Sequence, residues 1–274
     1  MNQRSNGGDE LSDYEGYDAI RFERIGDVLR VTLANPRNKV NAVDGEMHAE
    51  LRRLFEELKG EDAARAVVLT GSGRAFSAGG DFAWMNGTGP EDLADMRREG
   101  KQIVWNLLDV EVPIVAAING PAIGLGATLA LLCDVIFMSD GAKLGDPHVQ
   151  VGIVAGDGGA VAWPLAVGPA VAKRYLLTGD AMTAADAERH GLINHAVAAD
   201  ELQDEALAFA RRLAEGAPLA VRYTKLAVNQ LVKQAMSTAF DYSTALEVLT
   251  FVSEDHREAL SALSEKRRPE FSGR

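Results

Sequence analysis

Ile118-Asn119-Gly120-Pro121-Ala122-Ile123-Gly124-Leu125-Gly126-Ala127-Thr128-Leu129-Ala130-Leu131-Leu132-Cys133-Asp134 is the stretch on which the reading of this chain turns. The apolar, β-branched run from Pro113 to Ile118 that leads into it reads as a buried strand, and Leu129 to Cys133 is apolar on every side, as a buried helix is. Three glycines lie between them and let the backbone approach a partner closely, so the helix opens at about Gly124 to Gly126. Its free N–H groups and the positive end of its dipole then point at whatever fills the turn. A P-loop would need Lys and a hydroxyl residue where Ala127 and Thr128 stand. A dinucleotide fingerprint would need Gly or Ala at Leu129 and an acidic residue about 20 positions on. Both motifs fail, which leaves a turn suited to stabilising an oxyanion.

Working outward, the 274 residues suffice for one large domain, alone or with an appendage. A hydrophobic content of 47% and a charged content of 25% are those of a globular protein, and the net charge of −12 argues against a nucleic-acid or anionic-membrane surface. No apolar run reaches the roughly 18 residues of a membrane helix. Met1 to Tyr17 is polar and acidic, unlike a signal or transit peptide, and reads as a flexible tail. The single Cys133 lies in an apolar run and reads as a core residue, so a cytoplasmic protein acting on a small molecule is expected.

Residues 18–200 alternate strands and helices, the mark of an α/β fold with parallel strands and helical crossovers. Ala19 to Glu23 and Val28 to Leu33 form a hairpin around Gly26-Asp27, and Met47, Leu51, Leu54, Phe55 and Leu58 mark an amphipathic helix. Ala66 to Thr70 and Asp134 to Ser139 are buried strands, and Glu91 to Asp109 is helical. Arg74 to Phe82 forms a second small-residue turn. Lys143 to Gly159, with His148 and Asp157, is loop-rich. After about residue 200 helices dominate, over Glu201 to Glu215, Ala217 to Met236 and Ser243 to Lys266.

Asn41-Ala42, the segment Ala75 to Phe82, the turn Asn119 to Gly126 and the closing Glu265-Lys266-Arg267-Arg268-Pro269-Glu270-Phe271 occur in the order found in the enoyl-CoA hydratase/isomerase (crotonase) superfamily. The resemblance runs from about residue 18 to the end. It implies a crotonase-like spiral of repeated ββα turns over 18–200 and a helical oligomerisation region over 201–274, assembled as a homotrimer or a dimer of trimers. It also implies an acyl-CoA substrate, with coenzyme A entering as part of the thioester and no tightly bound cofactor. Carried over by position, the N–H groups of Gly80 and Leu125 would grip the thioester oxygen. The Ala78 carbonyl would take the adenine amino group, and Lys266 of a neighbouring subunit would lie near the coenzyme A phosphates.

The departures from the family pattern concern the chemistry. Its hydratases use two Glu residues to activate water and protonate carbon; here Thr128 and His148 occupy those positions. A His held charged by a carboxylate can move a proton near neutral pH. His148 within Asp146-Pro147-His148, with Asp157 nine residues on, resembles a branch that cleaves carbon–carbon bonds in cyclic β-diketones without coenzyme A. Plainer readings remain beside these: His148 as a loop residue, Asp157 as a turn former, Thr128 bonding a backbone carbonyl, and Lys266 to Arg268 as a solvated charge run. His48, His190, His195 and His256 lack ligand spacing, so no metal site is expected. Three functions follow: an enzyme forming an enolate from an acyl-CoA thioester, a β-diketone hydrolase using His148 and Asp157, and a non-catalytic acyl-CoA-binding subunit.

Overall fold

In the computed structural model, which describes residues 14–87 and 90–274, the hairpin around Gly26-Asp27 forms the edge of the main sheet. Its strands β1 (Ile20–Ile25) and β2 (Val28–Leu33) pair antiparallel, with Ile25 opposite Val28. The strands β3 (Ala66–Gly71), β4 (Ile114–Ile118), β5 (Ala122–Ile123), β6 (Val135–Ser139), β7 (Lys143–Gly145), β8 (Met182–Thr183) and β9 (His195–Val197) follow. The main sheet runs β1-β2-β3-β4-β6-β9, parallel from β2 onward, and the small sheet runs β5-β7-β8. The helices are α1 (Gly45–Leu58), α2 (Phe82–Gly87), α3 (Pro90–Asp109), α4 (Leu125–Leu131), α5 (Gly159–Thr178), α6 (Ala184–His190), α7 (Leu202–Ala214), α8 (Pro218–Phe251) and α9 (Glu254–Glu265). The α/β expectation holds, and the C-terminal region is helical as expected.

Both faces of the main sheet are covered, which is why β3 and β4 read as unbroken apolar runs. Val67, Leu69, Ile114 and Ala116 face α1 and α3 through Leu51, Leu54, Ile103 and Leu107. Ala66, Val68, Val115 and Ala117 face α7 through Leu202, Ala206 and Ala210. So α7, placed by the expectation in a C-terminal region beginning at 201, is part of the core that covers the sheet. α1 is capped by Asp44, whose carboxylate accepts from the Met47 N–H at 2.9 Å.

Three expectations are corrected. Of the tail expected over 1–17, residues 1–13 lie outside the described residues, but Tyr14 and Tyr17 are docked. Tyr14 stacks on Phe22 with centroids 4.3 Å apart and donates to Glu61, while Tyr17 donates to Glu57 at 2.9 Å. The helix expected to stop at Met236 and restart at Ser243 is one helix, α8, of 34 residues. Ser237 and Thr238 do not break it because their hydroxyls donate to the carbonyls of Lys233 and Gln234 one turn back. The buried helix expected over Leu129 to Cys133 ends at Leu131, although Cys133 is buried as expected. α5 escaped the periodicity reading because Pro164 and Pro169 interrupt its pattern and Gly168, at φ +76°, divides it.

Candidate active site

Two backbone turns form one side of the site. The first follows β3, and Asn41 organises it from the left-handed region (φ +51°). Its side-chain amide donates to the carbonyls of Ser72, Ala75 and Phe76 at 3.0, 2.9 and 3.2 Å. The chain then runs beside Val43, whose N–H donates to the Gly79 carbonyl and whose carbonyl accepts from the Asp81 N–H. Gly80, between them, is left with its N–H free of any protein acceptor among the described residues.

The second turn ends at Gly124, which at φ +53° and ψ −121° turns the chain into α4. Leu125 opens that helix, so its N–H has no intrahelical acceptor. The two turns lie against each other: a Cβ on Gly79 would fall 2.7 Å from the Ile123 carbonyl oxygen, and the Ile123 N–H donates to Ser77 at 2.9 Å. Gly80 and Leu125 accordingly line one cavity.

His148 closes the other side, on a short 3-10 turn (His148–Val151) after β7. Its Nδ1–H donates to Asp146 Oδ1, and its Nε2 lies 3.7 Å from Asp157 Oδ2. The ring edge packs on the second turn, with Cε1 3.2 Å from where a Cβ on Gly124 would stand. Asp157 Oδ1 accepts from the Thr128 hydroxyl at 3.2 Å and the Gly159 N–H at 3.3 Å. Its Oδ2 has no hydrogen-bond partner among the described residues, and neither does Asp146 Oδ2.

The charges of this cluster depend on one another. Burial favours neutral imidazole, but the negative charges of Asp146, Asp157 and Glu247 outweigh it and raise the His148 pKa to about 10. Burial pushes Asp157 above the ordinary carboxylate range, with the His148 charge pulling it back. Glu247, on α8, is pushed up to about 8 by burial and by the Asp157 charge. Burial thus favours the neutral acid at Asp157 and Glu247, whereas the surrounding carboxylates favour the charged form of His148.

Asp146, His148 and Asp157 also place potential metal-ligand atoms within 4.8 Å of one another, a grouping the sequence reading did not anticipate.

Two cavities meet at these groups. An inner chamber of about 90 Å³ is walled largely by apolar side chains, among them Trp84, Met85, Met96, Phe240 and Phe251. An outer channel of about 280 Å³ runs from His148 past Ala78 and Gly79 to Arg267 and Pro269. Gly80, Met85, His148 and Ile153 line both.

The candidate residues Gly80, Leu125, His148, Asp157 and Thr128 are thus brought together. Thr128, fully buried, bonds the Asp157 carboxylate rather than a backbone carbonyl. Ala78 lines the outer channel, as does Arg267, whereas Lys266 is the exposed left-handed cap of α9. Glu247 went unnoticed in the sequence because it stands 90 residues beyond Asp157 on a long helix with no motif around it. The Thr244 hydroxyl, donating to the Gly156 carbonyl at 3.1 Å, ties that helix to the Asp157 loop.

The enoyl-CoA hydratase/isomerase family profile matches residues 23–274. A probable enoyl-CoA hydratase of Mycobacterium bovis is 36% identical over 261 residues, covering 94% of this chain and 99% of the relative. An enoyl-CoA hydratase/isomerase structure from Mycobacterium paratuberculosis matches with TM-score 0.84 and 38% identity, covering 90% of this chain and 99% of the other. A β-diketone hydrolase from the cyanobacterium Anabaena, solved with (S)-3-oxocyclohexyl acetic acid, matches with TM-score 0.83 and 32% identity, covering 89% and 98%.

Proposed function

We propose, from the premise that this chain belongs to the enoyl-CoA hydratase/isomerase family, that it acts on an acyl-CoA thioester through an enolate held by the N–H groups of Gly80 and Leu125. The observation that carries this reading is the meeting of the two cavities at two free backbone donors and a charged His148. A thioester carbonyl placed there gains negative charge as a bond forms or breaks at the neighbouring carbon. Fixed donors stabilise that charge without reorganising, each contributing ~3–4 kcal/mol.

The acyl group then occupies the inner chamber and coenzyme A the outer channel, with the Ala78 carbonyl toward the adenine and basic groups such as Lys266 toward the phosphates. No separate cofactor is required. His148 donates a proton, and Asp157, through its unpartnered Oδ2, accepts one. Thr128 holds the Asp157 carboxylate in place. With Thr128 and His148 where the hydratases carry two Glu residues, crotonyl-CoA hydration should be slow. Exposed apolar side chains along α8, including Leu219, Tyr223, Leu231 and Leu249, support the homotrimer or dimer of trimers.

A second reading, hydrolysis of a cyclic β-diketone by His148 and Asp157, is supported by the pairing of these two residues and by the likeness to the Anabaena enzyme. The placement of the His148 ring against the cavity speaks against a purely binding subunit. Calorimetry with a short acyl-CoA, its free acid and a cyclic β-diketone separates the readings. Tight binding of the thioester alone is expected; equal or stronger binding of the diketone would overturn the first reading in favour of the second.

A further inference from the structure

The inner chamber carries one buried polar side chain that the chemistry above does not use. His48 of α1 lines it and is only 5% exposed. Its Nδ1 lies 3.1 Å from a Glu99 carboxylate oxygen, and that hydrogen bond holds the Glu99 carboxyl below the ordinary carboxylate range. Glu99 is therefore ionised, and the nitrogen bonded to it carries the proton. Nε2, the other ring nitrogen, has no hydrogen-bond partner among the described residues. Gly100, next to Glu99 on α3, lines the chamber as well. Outside its own helix a Cβ there would meet one atom within 4 Å, the Nε2 of His48 at 3.7 Å. Gly is, after Pro, the least favourable residue inside a helix, and Gly100 stands midway along α3 with no positive φ to require it. Its missing side chain leaves Nε2 open to the chamber. A buried imidazole nitrogen in apolar surroundings is unfavourable until something bonds it.

We infer that His48 Nε2 and the gap at Gly100 form a subsite for a hydroxyl group on the acyl chain, at a carbon beyond the two that adjoin the thioester. The inference rests on the acyl-CoA reading above and names its substrate class: coenzyme A thioesters of short acids that carry a remote hydroxyl. The choice of hydroxyl follows from the ring. With Nδ1–H committed to Glu99, Nε2 accepts a hydrogen bond when the imidazole is neutral and donates one when it is charged. A hydroxyl answers both states, donating to the first and accepting from the second. A carbonyl or a carboxylate answers only the charged ring. Glu99 would also neutralise that ring, so no net positive charge remains to select an anion. The place on the acyl chain follows from the elements. On the acyl-CoA reading the reacting carbons lie against Gly80, Leu125 and His148, whereas His48 and Gly100 belong to α1 and α3, which supply none of those groups. The Trp84 ring, its centroid 5.4 Å from that of His48, adds an apolar surface beside the subsite. A hydroxyl carried anywhere else on this wall would lose its water and gain no partner.

The test is calorimetry on the whole chain with hexanoyl-CoA and its freshly prepared 4-, 5- and 6-hydroxy derivatives. Wild type should bind one of the hydroxylated thioesters at least about fivefold more tightly than hexanoyl-CoA, the gain expected of one buried hydrogen bond. His48→Phe keeps an aromatic ring, removes both nitrogens and should bring that ratio to one or below. Gly100→Ala is the stricter variant. Ala favours the helix, so the melting temperature should rise by about 2–4 °C, while the added methyl group covers Nε2 and draws the ratio toward one. Greater stability with lost discrimination is an outcome that a purely structural pairing of His48 with Glu99 would not produce. A wild type that prefers none of the hydroxylated forms overturns the inference, and so does a preference that survives either variant. Hexanoyl-CoA separates the two levels of the argument. If it binds as tightly as every hydroxylated form, the inference alone fails; if none of these thioesters binds, the acyl-CoA reading fails and the inference with it.

Discussion

Replacing Asp146 by Asn tests what holds the charge on His148. Asp146 is 2% exposed, and its Oδ1 accepts the His148 Nδ1–H. Two opposite charges about 4 Å apart at an effective dielectric of about 20 attract by about 4 kcal/mol, equivalent to about 3 pH units in the titration of the ring. His148, now held protonated to about pH 10, should then titrate near pH 7 in Asp146→Asn. Histidine-labelled protein followed by NMR from pH 5 to 11 reads this directly, with His148→Gln identifying its signal among the five histidines. Stability must follow with a defined sign. Because the folded pKa is raised, the contribution of His148 is complete below about pH 6.5, the ordinary value, and disappears as the pH climbs through about 10. Wild type should lose stability across that window, and the variant should lose little of it above pH 7. A His148 signal still titrating near 10 in Asp146→Asn refutes the reasoning, since the charge would then come from elsewhere.

Further expectations concern the neighbouring groups. His148→Ala should lower turnover of the true substrate by roughly 10²–10⁴-fold while substrate affinity, measured by calorimetry, changes only severalfold; near-normal turnover would remove His148 from the chemistry. Glu247, raised from 4.5 to about 8, should make wild type less stable as the pH rises between those values. Glu247→Gln should remove that slope in urea titrations, and an unaltered slope would assign it to another group. Gly124→Ala places a Cβ 3.2 Å from the His148 ring at a φ of +53° and should cost about 1–3 kcal/mol of stability, with turnover falling as the ring is displaced. Unchanged melting and turnover would show that the turn tolerates a side chain.

How far the sequence could be read depended on whether a contact was local. The hairpin, α1, β3 and β4 were legible because apolar periodicity reports burial directly. The turns around Gly80 and Leu125 were legible from small residues that only a close backbone approach requires. Tyr14 and Tyr17 were misplaced in the tail because their partners, Glu61 and Glu57, lie across the fold and a short polar segment carries no trace of them. Glu247 was invisible for a similar reason: only the tie between Thr244 and Gly156 brings α8 against the Asp157 loop. The uninterrupted course of α8 through Ser237 and Thr238 was lost because hydroxyls that satisfy themselves on the preceding turn look, in sequence, like those that end a helix.

Asn41 carries a consequence beyond the turn it fastens. It stands outside the cavity lining, yet its amide sets the path of the chain that leads to Gly80. On the proposed reading, the part of the site that holds the negative oxygen is therefore built from main chain and fastened from behind, whereas the part that handles protons is built from the side chains of residues 148, 157 and 247, with residue 128 holding 157 in place. The two halves can fail, or be rebuilt, separately. A chain stripped of His148 would remain a receptor for carbonyl ligands, while a chain stripped of Asn41 would keep every reactive group and have nowhere to aim them. Exchanging the four side chains on an unaltered backbone is the shortest route from this chemistry to another.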